Sequence, residues 1–293
     1  MTGRERRHVN PDGGIFKLAE RSIDRFASRY VYPRIGGIAT PYSWLLPRRF
    51  AVADGRVFPP RWPRGLPPLR VLLLSDIHTG PFIDPRALAP LVDQLMQLAP
   101  DLVAIAGDAV SGEPSDLDDF LPVLAPLARA PLGAWYCFGN HDYFSGEPEG
   151  VSERWTSIGI RTLKNESTDV ACGAASFRIG GIDDRLLGTP DWEALAAGGA
   201  APDLLLAHNP DDFYEAESRG AALVLSGHTH GGQIRLPGWP PIVRHSRFCL
   251  DEGAYAYGDA LLVVTRGVGA SGLPWRVGAH PEAVMLTIRS ATP

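Results

Sequence analysis

Five short apolar segments of this chain end in the same kind of chemistry. LRVLLLSD (69–76) runs on into Ile77-His78, DLVAIAGD (101–108) stops at Asp108, and GAWYCFGNHD (133–142) closes on Asn140, His141 and Asp142. LLLAHNPD (204–211) carries His208, and the apolar stretch 221–226 leads into GHTH (227–230). An apolar run of strand length that stops in Gly, Asp, Asn or His reads as a buried strand with a polar side chain at its carboxyl end. Functional groups in open α/β sheets gather at that end. Of the eight histidines, five lie in these segments, and only His8, His245 and His280 fall elsewhere. Taken singly, Asp76 would be a helix cap and Asn140 a turn residue. Taken together, Asp76, His78, Asp108, Asn140, His208, His228 and His230 would be too costly to bury without a purpose, and a metal site is the purpose that clustered ligand types mark. Imidazole, carboxylate and amide oxygen without thiolate favour Mn, Fe or Zn over copper or a structural zinc, and Mg prefers an all-oxygen shell.

Strands alternate with helical patterns, at 85–98 and, interrupted by Pro122 and Pro126, at 116–129, so the fold class is α/β. Further strands are expected at 175–182, 203–208, 221–226, 260–264 and 283–289. Cys137, Cys172 and Cys249 are odd in number and form no C-x-x-C pair, which argues against a disulfide framework and for a reducing compartment. No apolar run is long enough to span a bilayer, and the opening MTGRERRHVNPDGG lacks the apolar core of a secretory signal. The expected location is cytoplasmic.

Charge divides the chain. Residues 1–70 hold fourteen Lys/Arg and five Asp/Glu, a net +9, whereas residues 71–293 hold fourteen and twenty-eight, a net −14. Residues 1–68 are therefore read as a basic arm, with an amphipathic helix at 15–32 (Ile15, Ala19, Ile23, Phe26 and Tyr30 on one face) followed by a Pro-rich wrap. The arm either wraps the acidic body or makes a peripheral contact with the inner membrane face; the wrap is favoured because Glu20 and Asp24 dilute its positive charge. The body is 69–293. Its acidity, with no basic groove, argues against long nucleic acid as a partner.

The order D-x-H, G-D, G-N-H-D, a lone His, then G-H-x-H resembles the calcineurin-like metallophosphoesterases, with every signature block intact between about 70 and 289. LLLAHNPD, GHTHGGQIRLP (227–237) and TRGVGASGLPWR (265–276) resemble the YaeI/YkuE-like bacterial phosphohydrolase subgroup within that family. The resemblance implies a four-layer α/β/β/α sandwich with two mixed β-sheets, and a two-metal centre. It implies that Asp76, His78, Asp108 and His230 hold one divalent ion, and that Asp108, Asn140, His208 and His228 hold the other. It further implies a phosphoesterase that attacks a phosphodiester or pyrophosphate through a metal-bridging hydroxide, with His141 either as proton donor to the leaving oxygen or as a hydrogen-bond donor to the phosphoryl group. Asp142, next to it, is expected to hold the His141 tautomer, as orienting carboxylates do. Superfamily members that serve as non-catalytic scaffolds tend to lose ligands or the G-N-H histidine, and this chain keeps them.

Other residues have two readings each. Asn209 either contacts substrate or caps helix 211–218. Arg235 either grips a phosphate or makes a surface ion pair. Asp183 and Asp184 read as a turn, and Trp239 and Trp275 as packing residues more than stacking platforms. The expected substrate is a small phosphorylated or nucleotide-linked molecule. A lipid-linked UDP-2,3-diacylglucosamine-type pyrophosphate and a cyclic nucleotide are the alternatives.

Overall fold

The computed structural model describes residues 46–236 and 239–290. The expected helix at 15–32, and most of the basic arm with it, lies outside the described residues.

Among the described residues, twelve strands form two six-stranded sheets. The first half of the chain supplies β1 (Ala51–Val57), β2 (Leu69–Leu74), β3 (Leu102–Ala106), β4 (Ala134–Cys137) and β5 (Ile160–Leu163). The second half supplies β6 (Glu166–Cys172), β7 (Ala175–Gly181), β8 (Leu204–Leu206), β9 (Leu223–Ser226), β10 (Gly253–Tyr257), β11 (Ala260–Val264) and β12 (Glu282–Ile288). One sheet has the order β1-β12-β2-β3-β4-β5 and the other β10-β11-β9-β8-β7-β6. Both are mixed: β2 through β5 run parallel, as do β7, β8, β9 and β11, while β12 is antiparallel to β2, and β6 and β10 are antiparallel to their neighbours.

The alternation of side chains along each central strand builds the layers. Val71 and Leu73 of β2, Leu102 and Ala104 of β3, and Trp135 and Cys137 of β4 enter one apolar cluster with Ile179, Leu204, Leu206, Leu223 and Leu225 of the other sheet. That cluster is the seam between the sheets. The intervening residues Leu72, Leu74, Val103, Ile105 and Tyr136 face outward into a second cluster with Leu88, Leu91, Val92 and Leu95. Leu205, Val224, Leu262 and Val264 do the same on the far side, against Phe213 and Ala216. Strands buried on both faces read as continuous apolar runs, which is why they stood out in the sequence.

Helix α1 (Pro85–Gln97) shows the local rules. The Asp84 carboxylate accepts from the Arg86 backbone N–H, Pro85 sits in the first turn, and Leu88, Leu91, Val92 and Leu95 repeat at three- and four-residue steps on the buried face. The helical region at 116–129 is broken near Pro122 and Pro126, as expected. A 3-10 segment at Pro114–Phe120 gives way to a single α-turn at Leu121–Leu124 and another 3-10 segment at Ala125–Arg129. Helix α2 (Pro148–Ser157) and helix α3 (Phe213–Ser218) complete the outer layers.

The sequence boundary at residue 69 falls too late. Ala51–Val57, read there as Pro-rich wrap, pairs in parallel with β12 over seven residues and forms the edge of the first sheet. Its Asp54 and Arg56 break the apolar alternation on the exposed edge, so the strand carries little sequence signal.

Candidate metal centre

The five polar strand ends converge. β2, β3 and β4 deliver Asp76, His78, Asp108, Asn140 and His141 from one sheet. β8 and β9 deliver His208, His228 and His230 from the other. Asp76, His78 and His230 bring one ligand atom each within 4.8 Å of one another, as do Asp108, His208 and His228. A third such group, His78, Asp108 and His141, lies between them. Asp108 Oδ2 is 3.2 Å from His208 Nε2 and 3.6 Å from His78 Nε2, so one carboxylate faces both sets. On the other side, His230 Nε2 is 3.3 Å from Asp76 Oδ1 and 3.1 Å from His78 Nε2.

The backbone is bent to achieve this. Nine described non-glycine residues have positive φ, and five of them are Asp76, His78, Asp108, His228 and His230. Asp and His tolerate that region better than most residues, but such conformations persist only where the surroundings impose them, and they cluster at functional sites. Two glycines make room. A Cβ at Gly139 would overlap the Asp108 carboxylate, and one at Gly227 would overlap Asp76. The carboxylates are then pinned by backbone donors: His141 N–H to Asp108 Oδ1 at 2.8 Å, and His228 N–H to Asp76 Oδ2 at 3.0 Å, with the Ser75 hydroxyl on Asp76 as well.

Burial shapes the charge states. Asp76 is pushed up to about 6 by burial, with the Asp108 charge adding to it. His78 is held well below the usual histidine range by burial and then by neighbouring His141. His230 is lowered likewise, by burial and by the Arg276 guanidinium, whose Nη2 lies 2.8 Å from His230 Nδ1. Burial also opposes the charged form of His208, but the Asp108 carboxylate outweighs it and raises this ring well above its ordinary value. His78 and His230 are thus held as the neutral imidazoles a cation requires, whereas His208 is held as an imidazolium by Asp108 and would give up its proton to a bound cation.

The donors fit a divalent pair. Asn140 caps nothing: it opens the His141–Tyr143 turn without a side-chain cap bond, and its Oδ1 is a buried acceptor with no partner. His208 donates Nδ1–H to the Ala106 carbonyl at 2.7 Å, which fixes the tautomer, and its buried Nε2 is likewise without a hydrogen-bond partner. Buried polar atoms are rarely left unsatisfied. These two donor atoms fit a ligand set that a divalent cation would complete. No cysteine enters any of these groups.

His141 sits over this cluster, its ring edge-on to His78 at 4.6 Å between centroids. Its Nδ1–H donates to the Ser111 carbonyl at 3.1 Å, and Nε2 is 3.1 Å from Ser271 Oγ. This corrects the role expected of Asp142. That carboxylate does not set the His141 tautomer; it turns inward and accepts from the backbone N–H groups of Gly139, Asp108 and Ala109 at 2.7, 3.1 and 3.0 Å, and from the Tyr136 hydroxyl. Burial, then the nearby Asp108 charge, raises it to about 7. Asp142 thus ties the β3 loop to the β4 loop, and the carbonyl of Ser111 does the orienting.

The remaining expectations divide. Asn209 is a cap: its Oδ1 accepts from Asp211 N–H at 3.0 Å. Arg235 is committed to an ion pair with Glu252. Asp183 and Asp184 form a turn, accepting from Asp184 N–H and Thr189 N–H, and from Leu186 N–H and Leu187 N–H respectively. Trp239 and Trp275 are 69% and 50% exposed. Three contributors were not among the site residues expected from the sequence, although Ser271 and Arg276 lie in the segment TRGVGASGLPWR. Arg276, Ser271 and His245, whose ring meets His228 at 5.6 Å, lie on late loops that only the tertiary fold brings to the site.

Two α/β sheets packed face to face, with an Asp shared between His/Asp clusters at their strand ends, define a metallophosphoesterase-type centre. The chain belongs to the calcineurin-like phosphoesterase family, whose family model matches residues 69–232. It is 35% identical over 229 residues to "Phosphodiesterase YaeI" of Escherichia coli (strain K12), covering 75% of this chain and 82% of that one. It is 30% identical over 236 residues to "Uncharacterized metallophosphoesterase YkuE" of Bacillus subtilis (strain 168), with 78% and 82% covered. A Danio rerio "Transmembrane protein with metallophosphoesterase domain" is 32% identical over 255 residues; the match takes in 82% of this chain but spans only 57% of that relative. Among the described residues, no helix is long and apolar enough to cross a membrane.

Proposed function

We propose that this chain hydrolyses a phosphodiester or pyrophosphate bond of a small or lipid-linked substrate, using two divalent cations. Asp76, His78, Asp108 and His230 would hold one, and Asp108, Asn140, His208 and His228 the other. The observation that carries this is the position of Asp108, within reach of both His78 and His208, beside the orphaned Asn140 Oδ1 and His208 Nε2. When bound, the cations supply positive charge for the phosphoryl oxygens and acidify water.

The chain's own residues do the rest. The Ala106 carbonyl fixes His208, and the backbone N–H groups of His141 and His228 hold the two carboxylates, so the ligand set is preorganised. His141 has Nδ1–H on the Ser111 carbonyl, which leaves Nε2 toward the open side; as the imidazolium, the ring would give its Nε2 proton to the departing oxygen and return to the neutral Nδ1–H form. Ser271 Oγ lies 3.1 Å from that Nε2. The relative from Escherichia coli carries the name phosphodiesterase, which supports a diester over a monoester.

Metal analysis and turnover of bis-p-nitrophenyl phosphate test the reading together. The chelated and Mn-reloaded chain is expected to bind about two cations and to hydrolyse the diester, and Asp108→Ala to lose both. Full turnover without metal, or undiminished metal content in Asp108→Ala, would refute it.

A further inference from the structure

Among the described residues, most of the large exposed apolar side chains fall on two late loops. Leu236, Trp239, Ile242, Val243, Leu273 and Trp275 are large, apolar and exposed, and they come from two late loops, 233–249 and 271–277. The loops are laced together. Arg235 N–H donates to the Val277 carbonyl at 2.7 Å and Val277 N–H returns to Gln233 at 2.9 Å. The Gln233 side chain clamps Ser271 through its amide oxygen and nitrogen. The same loops are fastened to the candidate centre: Ser271 meets His141, Arg276 meets His230, the His245 ring meets His228, and Ser246 and Arg247 bond the Asp211 carboxylate behind His208. The result is an apolar collar beside the metal ligands.

The collar differs from the rest of the body in charge as well. Residues 71–293 carry a net −14, whereas in the collar Arg235 and Arg244 pair with Glu252 and Asp251, and Arg247 adds a further positive charge. Arg244 and Arg247 are exposed next to Ile242, Val243 and Phe248. A contiguous exposed apolar patch marks an interaction surface. Exposed tryptophans and aliphatics beside Arg244 and Arg247, on a patch without the body's negative excess, match the interface of an anionic bilayer, where indole rings sit at headgroup depth and cations meet lipid phosphate.

We propose that the collar docks the mouth of the centre onto an anionic phospholipid surface, so that the substrate is a phosphodiester carried on a lipid or other acyl-chain amphiphile. The second half of the statement rests on the phosphoesterase reading; the first half does not. In the reaction, water adds its oxygen to phosphorus, the bond from phosphorus to the leaving oxygen breaks, and that oxygen takes up a proton.

The test uses the full chain and a Trp239→Ser/Trp275→Ser variant. Both substitutions lie on exposed side chains outside the ligand set. Wild type is expected to sediment with phosphatidylcholine vesicles containing phosphatidylglycerol, more weakly with phosphatidylcholine alone, and the variant to bind the anionic vesicles about tenfold more weakly. Bis-p-nitrophenyl phosphate turnover should be equal in the two. Hexadecyl p-nitrophenyl phosphate held in the vesicles should be the better substrate for wild type, and this preference should vanish in the variant. No vesicle binding by wild type would overturn the proposal, as would equal binding by the variant, which would move the contact to residues 1–45. A dimer that dissociates in the variant, with no vesicle binding, would assign the collar to a second copy and overturn it too. Equal turnover of soluble and vesicle-borne diesters by wild type would remove the substrate class. Absence of any Mn-dependent turnover would instead sink the phosphoesterase reading and leave the vesicle result intact.

Discussion

At the residue scale, His141 and Asp142 are neighbours in sequence and opposites in role. His141 points to the open side of the centre, with its ring nitrogens on Ser111 and Ser271. Asp142 points inward and satisfies three backbone donors. Their substitutions should separate accordingly. His141→Asn is expected to lower kcat by about 10²–10⁴ with metal content unchanged, and to do so more severely for an alkyl ester than for a nitrophenyl ester, whose leaving oxygen needs less protonation. Steady-state rates on the two esters, with elemental analysis of the same samples, check this. Asp142→Ala should instead cost about 2–4 kcal/mol of stability even in chelator, because buried N–H groups lose their acceptor. A denaturant melt of the metal-free chain reads that directly.

At the scale of elements, the acidic turn before α3 supplies a pH handle outside the ligand set. Asp212 is buried and pushed up to about 7 by that burial, although the Arg185 guanidinium at 3.3 Å pulls the other way. A carboxyl whose folded value is raised adds stability that is full below its unfolded value near 3.8 and is lost as pH climbs through about 7. Asp212→Asn should therefore have a flatter melting-temperature profile between pH 4 and 8, and its melting temperature relative to wild type should rise across that window. A parallel pair of profiles would show that Asp212 ionises freely in the fold.

The same scale shows what the sequence makes legible. β2, β3, β4, β8 and β9 are buried on both faces, so their apolar runs are unbroken, and the ligands follow directly at their ends. β1 and β10, AVADGRV and GAYAY, lie on sheet edges where one face meets water, and neither pattern stands out. β6, ESTDVAC, is an edge of the same kind. The centre was legible because histidine and aspartate are rarely placed after buried strands without cause. The inward turn of Asp142 was not, because it depends on where the backbone of Gly139 and Ala109 lies in space. Arg276 was hidden for a related reason: its burial against His230 is produced by a loop that closes 46 residues later in the chain.

At the scale of the whole molecule, the two sheets meet at the site, and cations that bridge donors from both should brace them. Removing the metal is expected to lower the melting temperature, with reloading at about a hundredfold excess over the dissociation constant restoring roughly 2.7 kcal/mol. Calorimetry in chelator and in Mn checks this, and an unchanged transition would mean that the ions do not couple the sheets.

The place of β12 has a consequence for how the polypeptide is made. This last strand, Glu282–Ile288, inserts between β1 and β2, pairing in parallel with the first strand and antiparallel with the second. Until residues 282–288 have emerged from the ribosome, β1 and β2 both lack the strand that pairs between them and present bare hydrogen-bonding edges. Nascent chains stalled short of residue 282 should accordingly be sticky, protease-sensitive and bound by chaperones, while emergence of β12 lets one late insertion seal the leading sheet.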